Sequence, residues 1–179
     1  MNIFKKLFMK SDISNAAYFD HMLIKAKQGD AQAQSDVGVC YLNGIGVEKN
    51  YSEAIKWCKL SAEQGNAIAQ NSLGVMYEEG RGVPKSSKEA LKWYRLAAKQ
   101  GDAGSQDLIG CMYFSADAGL DRDIVRAYMW AYLAAMQDDK IAKGNLQTYS
   151  LYLTQEQIEL AKKMAKSCLV SNFIVDYFK

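Results

Sequence analysis

From Ala31 onward, apolar and small residues recur with the 3.6-residue period of packed helices, not the two-residue period of strands. Gln34, Val37, Gly38 and Tyr41 fall on one side of a helix that the spacing predicts over about Ala31–Leu42. Gly44 ends that helix, because a left-handed residue closes it and glycine alone enters that conformation cheaply. Gly46 and Val47 turn the chain, a second helix is predicted over about Tyr51–Gln64, and Gly65 closes it. Gly38 lies inside the first helix, where glycine costs about 1 kcal/mol relative to alanine. Its placement predicts a neighbouring helix too close for any side chain.

The same pattern is then written again. GVCYLNGIGVEKNYSEAIKW, from Gly38, returns as GVMYEEGRGVPKSSKEALKW, from Gly74, with eleven of the twenty letters identical. Gly29, Gly65 and Gly101 lie 36 residues apart, as do Gln34, Gln70 and Gln106, Gly38, Gly74 and Gly110, and Tyr41, Tyr77 and Tyr113. Ala54, Ala90 and Ala127 each precede a tryptophan (Trp57, Trp93 and Trp130) by three residues, and the last step is 37, one residue longer. A period between about 20 and 50 residues marks stacked helical repeats, in which each unit buries its apolar side only against the next. Positions common to all units therefore read as packing, and the three tryptophans are expected in the core.

The outer face of the second helices changes along the array. Lys56, Lys59 and Glu63 form a solvated stripe, repeated as Lys92, Arg95 and Lys99, but the third unit carries Met129, Tyr132 and Met136 there. The expected cover is a C-terminal helix that starts at Thr154, with Gln157 completing a capping box. It presents Ile158, Ala161, Met164, Ala165 and Cys168 along one stripe. A cap that ends the array explains this better than a partner site.

AQAQSDVGVCYLNGIGVEKNYSEAIKWCKLSAEQG and AIAQNSLGVMYEEGRGVPKSSKEALKWYRLAAKQG resemble Sel-one-like repeats, relatives of the tetratricopeptide repeat. The resemblance covers about residues 26–136 and rests on AxAQ, the glycine and tyrosine of the first helix, GxGV and EAxKW. The third unit departs from it, with FSADAGLDRDIVRAYMW in place of a GxGV loop. The resemblance implies an all-α fold: a right-handed α/α superhelical solenoid of about three helix pairs between N- and C-terminal capping helices. The expected divisions are an N-terminal tail and cap over 1–25, repeats at about 26–61, 62–97 and 98–136, and a degenerate repeat with C-terminal cap and apolar tail over 137–179.

In such repeats the groove side of the first helices varies while the framework does not. The expected protein-binding columns are Gln32, Ser35, Val39 and Leu42, then Ile68, Asn71, Val75 and Glu78, then Gly104, Asp107, Cys111 and Phe114. Val39, Leu42, Val75, Glu78, Asp107 and Phe114 are the expected anchors. Small apolar, amide, carboxylate and aromatic groups suit a docked protein segment. The plain alternative is solvated variation without a ligand. The resemblance implies a non-catalytic scaffold or adaptor, or else an immunity protein that binds and neutralises a secreted toxin or effector.

Composition narrows the chemistry. A net charge of +2 is too slight to call for nucleic acid. The longest apolar run, Ala127–Met136, is half of the 20 or so residues that span a bilayer, so no membrane insertion is expected. The first residues, MNIFKKLFMKSD, lack the apolar core of a signal peptide, which makes the cytoplasm the expected location. Ile3, Phe4, Leu7 and Phe8 interleave with lysines in a short basic amphipathic pattern, read as an N-terminal cap or a disordered end ahead of a weak membrane or partner contact. At the other end Phe173, Ile174, Val175, Tyr177 and Phe178 form an apolar tail that packs on the last helices or docks elsewhere. GIG at Gly44 and GRG at Gly80 follow helices, not strands, and no GK[ST] comes after, so phosphate loops are excluded. His21 is the single histidine, and Cys40, Cys58, Cys111 and Cys168 follow neither the repeat nor a metal-ligand spacing. No catalytic residue, cofactor or metal is expected.

Overall fold

Side-chain oxygens start the helices at the repeat step. Asp30, Asn66, Asp102 and Asp139 precede the first helices, and their oxygens accept from the backbone N–H groups of Ala33, Ala69, Ser105 and Ala142 at 2.7–3.0 Å. Asn50, Ser86 and Asp123 do the same for the second helices, accepting from Glu53, Glu89 and Arg126. Each oxygen satisfies one of the N–H groups that a helix start leaves without a partner. The computed structural model describes residues 3–171, with side chains from 14 to 169. The N-terminal amphipathic side chains (Ile3, Phe4, Leu7, Phe8) and the apolar tail from Phe173 to Phe178 lie outside the described residues.

Among those residues there are nine α-helices and no strand. The chain divides into two compact units, Met1–Lys85 and Ser86–Lys179. The first holds α1 (Ile3–Lys27), α2 (Ala31–Asn43), α3 (Tyr51–Glu63) and α4 (Ala67–Glu79), each packed on its neighbour in sequence. The second holds α5 (Ser87–Lys99), α6 (Ala103–Ser115), α7 (Ile124–Ala135), α8 (Lys140–Ser150) and α9 (Gln155–Ser171). There α7 is the central helix, packed by α6, α8 and α9.

The glycine expectation holds at both ends of the array. A Cβ on Gly38 would lie 2.5 Å from Cys58 Sγ, and one on Gly110 would lie 3.0 Å from the Ala127 carbonyl oxygen. The partner helix is therefore in contact with the bare backbone. Gly44 and Gly80 close α2 and α4 in the left-handed region at φ 75° and 74°. The third unit has Ala116 in that place at φ 59°, and Asp138 (φ 66°) stands where Gly29, Gly65 and Gly101 stand earlier. Both retain the geometry without the residue that makes it cheap.

The expected C-terminal cover is present. Thr154 N–H donates to Gln157 Oε1 at 2.9 Å, and Gln157 N–H donates to Thr154 Oγ1 at 3.3 Å, which is the reciprocal capping box. Ala161, Ala165 and Cys168 of α9 are buried, Ile158 and Met164 half-buried. Beneath this helix Met129 is fully buried and Tyr132 half-buried, but Met136 stays exposed.

The tryptophans divide. Trp130 is fully buried, whereas Trp57 and Trp93 are half-buried, so the expectation of three core tryptophans is corrected at two positions. Trp57 packs at the edge of the cluster formed by Phe19, Ala26, Ala33, Val37 and Cys40. Helix α7 is packed from three sides, and Trp130 has no open flank.

Candidate interaction surface

A buried amide sets the position of each first helix. Gln34, Gln70 and Gln106 donate through Nε2 to the carbonyls of Ala26, Ala62 and Ala98 at 3.1, 3.1 and 3.3 Å. Those carbonyls lie in the last turn of the preceding helix, where intrahelical partners run out. Gln64 in turn donates to Gln34 Oε1 at 2.7 Å, and Gln137 to Gln106 Oε1 at 3.0 Å. Ser61 Oγ donates to the Ala31 carbonyl at 2.6 Å. Sequence reading placed these glutamines inward, but not their bonds. It also missed the caps at positions 30, 66, 102 and 139, although that spacing repeats the period.

On this frame the expected columns do not form one uniform surface. In the first unit, Gln32 and Ile68 are exposed, with Ile68 at 51%. Val39, Asn71, Val75 and Glu78 are half-buried, while Ser35 and Leu42 are buried. Gln32 links the two helices, donating to Asp36 Oδ1 at 3.0 Å and accepting from Asn66 Nδ2 at 3.0 Å. Ser35 and Leu42 are thus interior residues, out of reach of a docked segment.

In the second unit, α8 covers the third column. Asn145 Nδ2 donates to both carboxylate oxygens of buried Asp107 at 2.9 Å and approaches Cys111 Sγ at 3.6 Å. The Tyr149 hydroxyl donates to Cys111 Sγ at 3.5 Å. Phe114 stacks on Tyr149 at a centroid distance of 4.8 Å and meets the edge of Tyr152 at 5.6 Å. Asp107, Cys111 and Phe114 are brought together as expected, but their partners are groups of the same chain. Burial raises the Asp107 carboxyl above its ordinary value; the Asn145 hydrogen bond pulls it down and the charge of Asp139 adds to the rise.

The thiols sit in packing positions. Burial pushes the Cys58 thiol up to about 12 and raises Cys40 and Cys168 above the ordinary range. A thiol held protonated is a poor nucleophile. His21 is exposed. Among the described residues no group of His, Cys, Asp and Glu is placed to hold a metal ion, and no helix is long and apolar enough to cross a membrane.

Comparison with known proteins agrees with this architecture. The Sel1 repeat profile matches residues 31–66, 67–102 and 103–139. A protective antigen present in uropathogenic Escherichia coli strains, displaying an SLR fold, superposes with a TM-score of 0.73 at 30% identity. That match covers 85% of this chain and 33% of the antigen. A Sel1 repeat protein from Oxalobacter formigenes gives a TM-score of 0.72 at 30% identity, over 86% of this chain and 64% of that one. The chain thus spans about a third and about two thirds of the lengths of these two relatives. No curated protein matches it.

Proposed function

Starting from the fact that this chain belongs to the Sel1 repeat family, whose members generally mediate protein–protein interactions, we propose that it is a non-catalytic adaptor that binds a protein segment on the α2–α4 face of its first unit. One observation carries the reading. Ile68 stands half in water at the start of α4, with half-buried Val75 on the same column and Val39 on that of α2. The framework does not require an isoleucine there, since the equivalent positions are Gln32 and Gly104. An exposed aliphatic anchor beside a half-buried apolar floor suits a helix or extended segment, and the repeats hold it rigid before binding.

Leu42→Arg and Phe114→Arg would report folding, because one residue is buried and the other stacks on Tyr149. Ile68→Arg and Val75→Glu alter the accessible face instead. A stoichiometric complex isolated from native lysate should be lost on Ile68→Arg while the helical signal and thermal midpoint are kept. Survival of that complex with both substitutions in place would remove this face from consideration.

A further inference from the structure

The second unit contains a cleft of about 590 Å³, walled by the α6–α7 loop and the turn before α9, with Arg95 and Tyr113 among its lining residues. Its charged groups are unlike those of the other repeats. Arg126 is the third residue of α7, the place that Glu53 and Glu89 occupy in α3 and α5, and all three N–H groups donate to the cap residue three positions earlier. In the earlier helices that carboxylate suits the positive end of the helix and accepts from a lysine one turn on, Lys56 or Lys92, at 2.5 Å. In α7 the sign is reversed. An arginine there works against its own helix dipole, an arrangement offset only by its contacts with the Asp123 cap and the Tyr113 ring.

Arg122 occupies the position of Lys49 and Lys85, directly before the cap. Its Nε–H donates to the Phe114 carbonyl at 3.1 Å, and its guanidinium lies 5.1 Å from the Phe114 ring centroid and 5.6 Å from that of Tyr152. Arg126 lies 5.7 Å from the Tyr113 centroid, with Nε 3.5 Å from Asp123 Oδ2. Two planar cations are thus oriented by rings and by one backbone or cap contact each. Guanidinium forks fixed in this way lose little freedom on meeting a carboxylate. The first turn of α7 adds its backbone dipole to the same cleft.

We propose that this cleft binds an acidic protein segment, in which a carboxylate meets Arg122 and Arg126 and a neighbouring apolar side chain rests on Leu120, Ile124 and Leu153. The lining is mostly polar, but the aliphatic side chains of Leu120, Ile124 and Leu153 within it favour a peptide over a free anion. Asp121 and Asp123 border the cleft and tolerate one negative charge better than the two of a phosphate. The inference rests on the protein-binding reading above but uses residues of the second unit alone, so the two can fail independently.

The experiment follows the arginine Nε–H signals of the full chain by nuclear magnetic resonance. Three probes are titrated: an acetylated, amidated pentapeptide with two glutamates between phenylalanines, its glutamine twin, and inorganic phosphate. The acidic peptide should move the Arg122 and Arg126 signals at concentrations on the order of 1 mM, about tenfold lower than the glutamine twin requires. Arg126→Glu, which installs the residue of the other two repeats, should abolish the shift, and Ile68→Arg should leave it unchanged. The proposal is overturned by absent shifts, by equal responses to the acidic and glutamine peptides, or by phosphate binding as tightly as the peptide. Loss of the shift on Ile68→Arg alone would place peptide binding on the first unit and also overturn it.

Discussion

The same substitution, glycine to alanine inside a helix, should have opposite effects at two places in this chain. At Gly38 the added methyl would sit 2.5 Å from Cys58 Sγ, 3.2 Å from Cys58 N and 3.4 Å from the Ala54 carbonyl oxygen. Ordinary carbon contacts lie at about 3.5–4.0 Å, so the sulfur has to retreat by roughly an ångström. Cys58 is fully buried, which leaves its side chain nowhere to turn. Overpacking of this kind costs about 1–3 kcal/mol, and the two backbone approaches place this site in the upper part of that range. Alanine returns about 1 kcal/mol of helix propensity. The net expectation is a loss of about 1–2 kcal/mol. At Gly144, in the middle of α8, nothing lies within 4 Å of the added methyl, so only the propensity gain remains. Thermal unfolding followed by circular dichroism measures both. For a chain of this length the thermal midpoint should fall by about 3–6 °C in Gly38→Ala and rise by about 2–4 °C in Gly144→Ala. Adding Cys58→Ala to Gly38→Ala should show positive coupling, because the second change removes the atom that the first one meets. If Gly38→Ala is as stabilising as Gly144→Ala, the close approach of α2 and α3 is not what excludes a side chain.

Ala116→Gly should stabilise by about 0.5–1 kcal/mol, since Ala116 holds φ 59° at the helix end where Gly44 and Gly80 stand; chemical denaturation that shows a loss would contradict this. Asp107 gives a pH dependence. Its folded-state carboxyl titrates above the unfolded one, so the native state holds the proton more tightly, and stability falls as pH rises from the unfolded value towards the folded one. Asp107→Asn should therefore be more stable than the parent at pH 7, and the advantage should vanish below about pH 3.9, the unfolded value. Denaturation curves at both pH values check it, and an advantage that persists in acid would point to a packing effect instead.

Much of the architecture was legible because a repeat states its own rules several times. The first helix, expected to end at Leu42, ends at Asn43, and the second starts at Tyr51 as expected. The Thr154–Gln157 box and the burial of Met129 were legible too, the first from a local motif and the second from a break in a repeated charge stripe. The candidate surface was legible as a set of variable columns, but not as a set of accessible ones. Ser35 and Leu42 lie on the expected side of α2 and are nonetheless buried, because a helix stripe specifies direction and not depth.

The local elements and their period could be read from the residues alone, since caps, left-handed stops and close-packed glycines act between residues within one helix pair. Which variable positions stay accessible and which are covered by the chain itself depends on packing between distant segments. Asn145 reaches Asp107 across 38 residues, and Tyr149 reaches Cys111 across the same distance. The start of α8 keeps the repeat step at Asp139, but Asn145 and Tyr149 match no framework position of the earlier units, so the period does not announce the contacts they make. The arginine cleft likewise forms where the loop gains a residue and a helix-start carboxylate becomes Arg126. Burial depends on what the fold brings from elsewhere, and that is set by packing rather than by spacing.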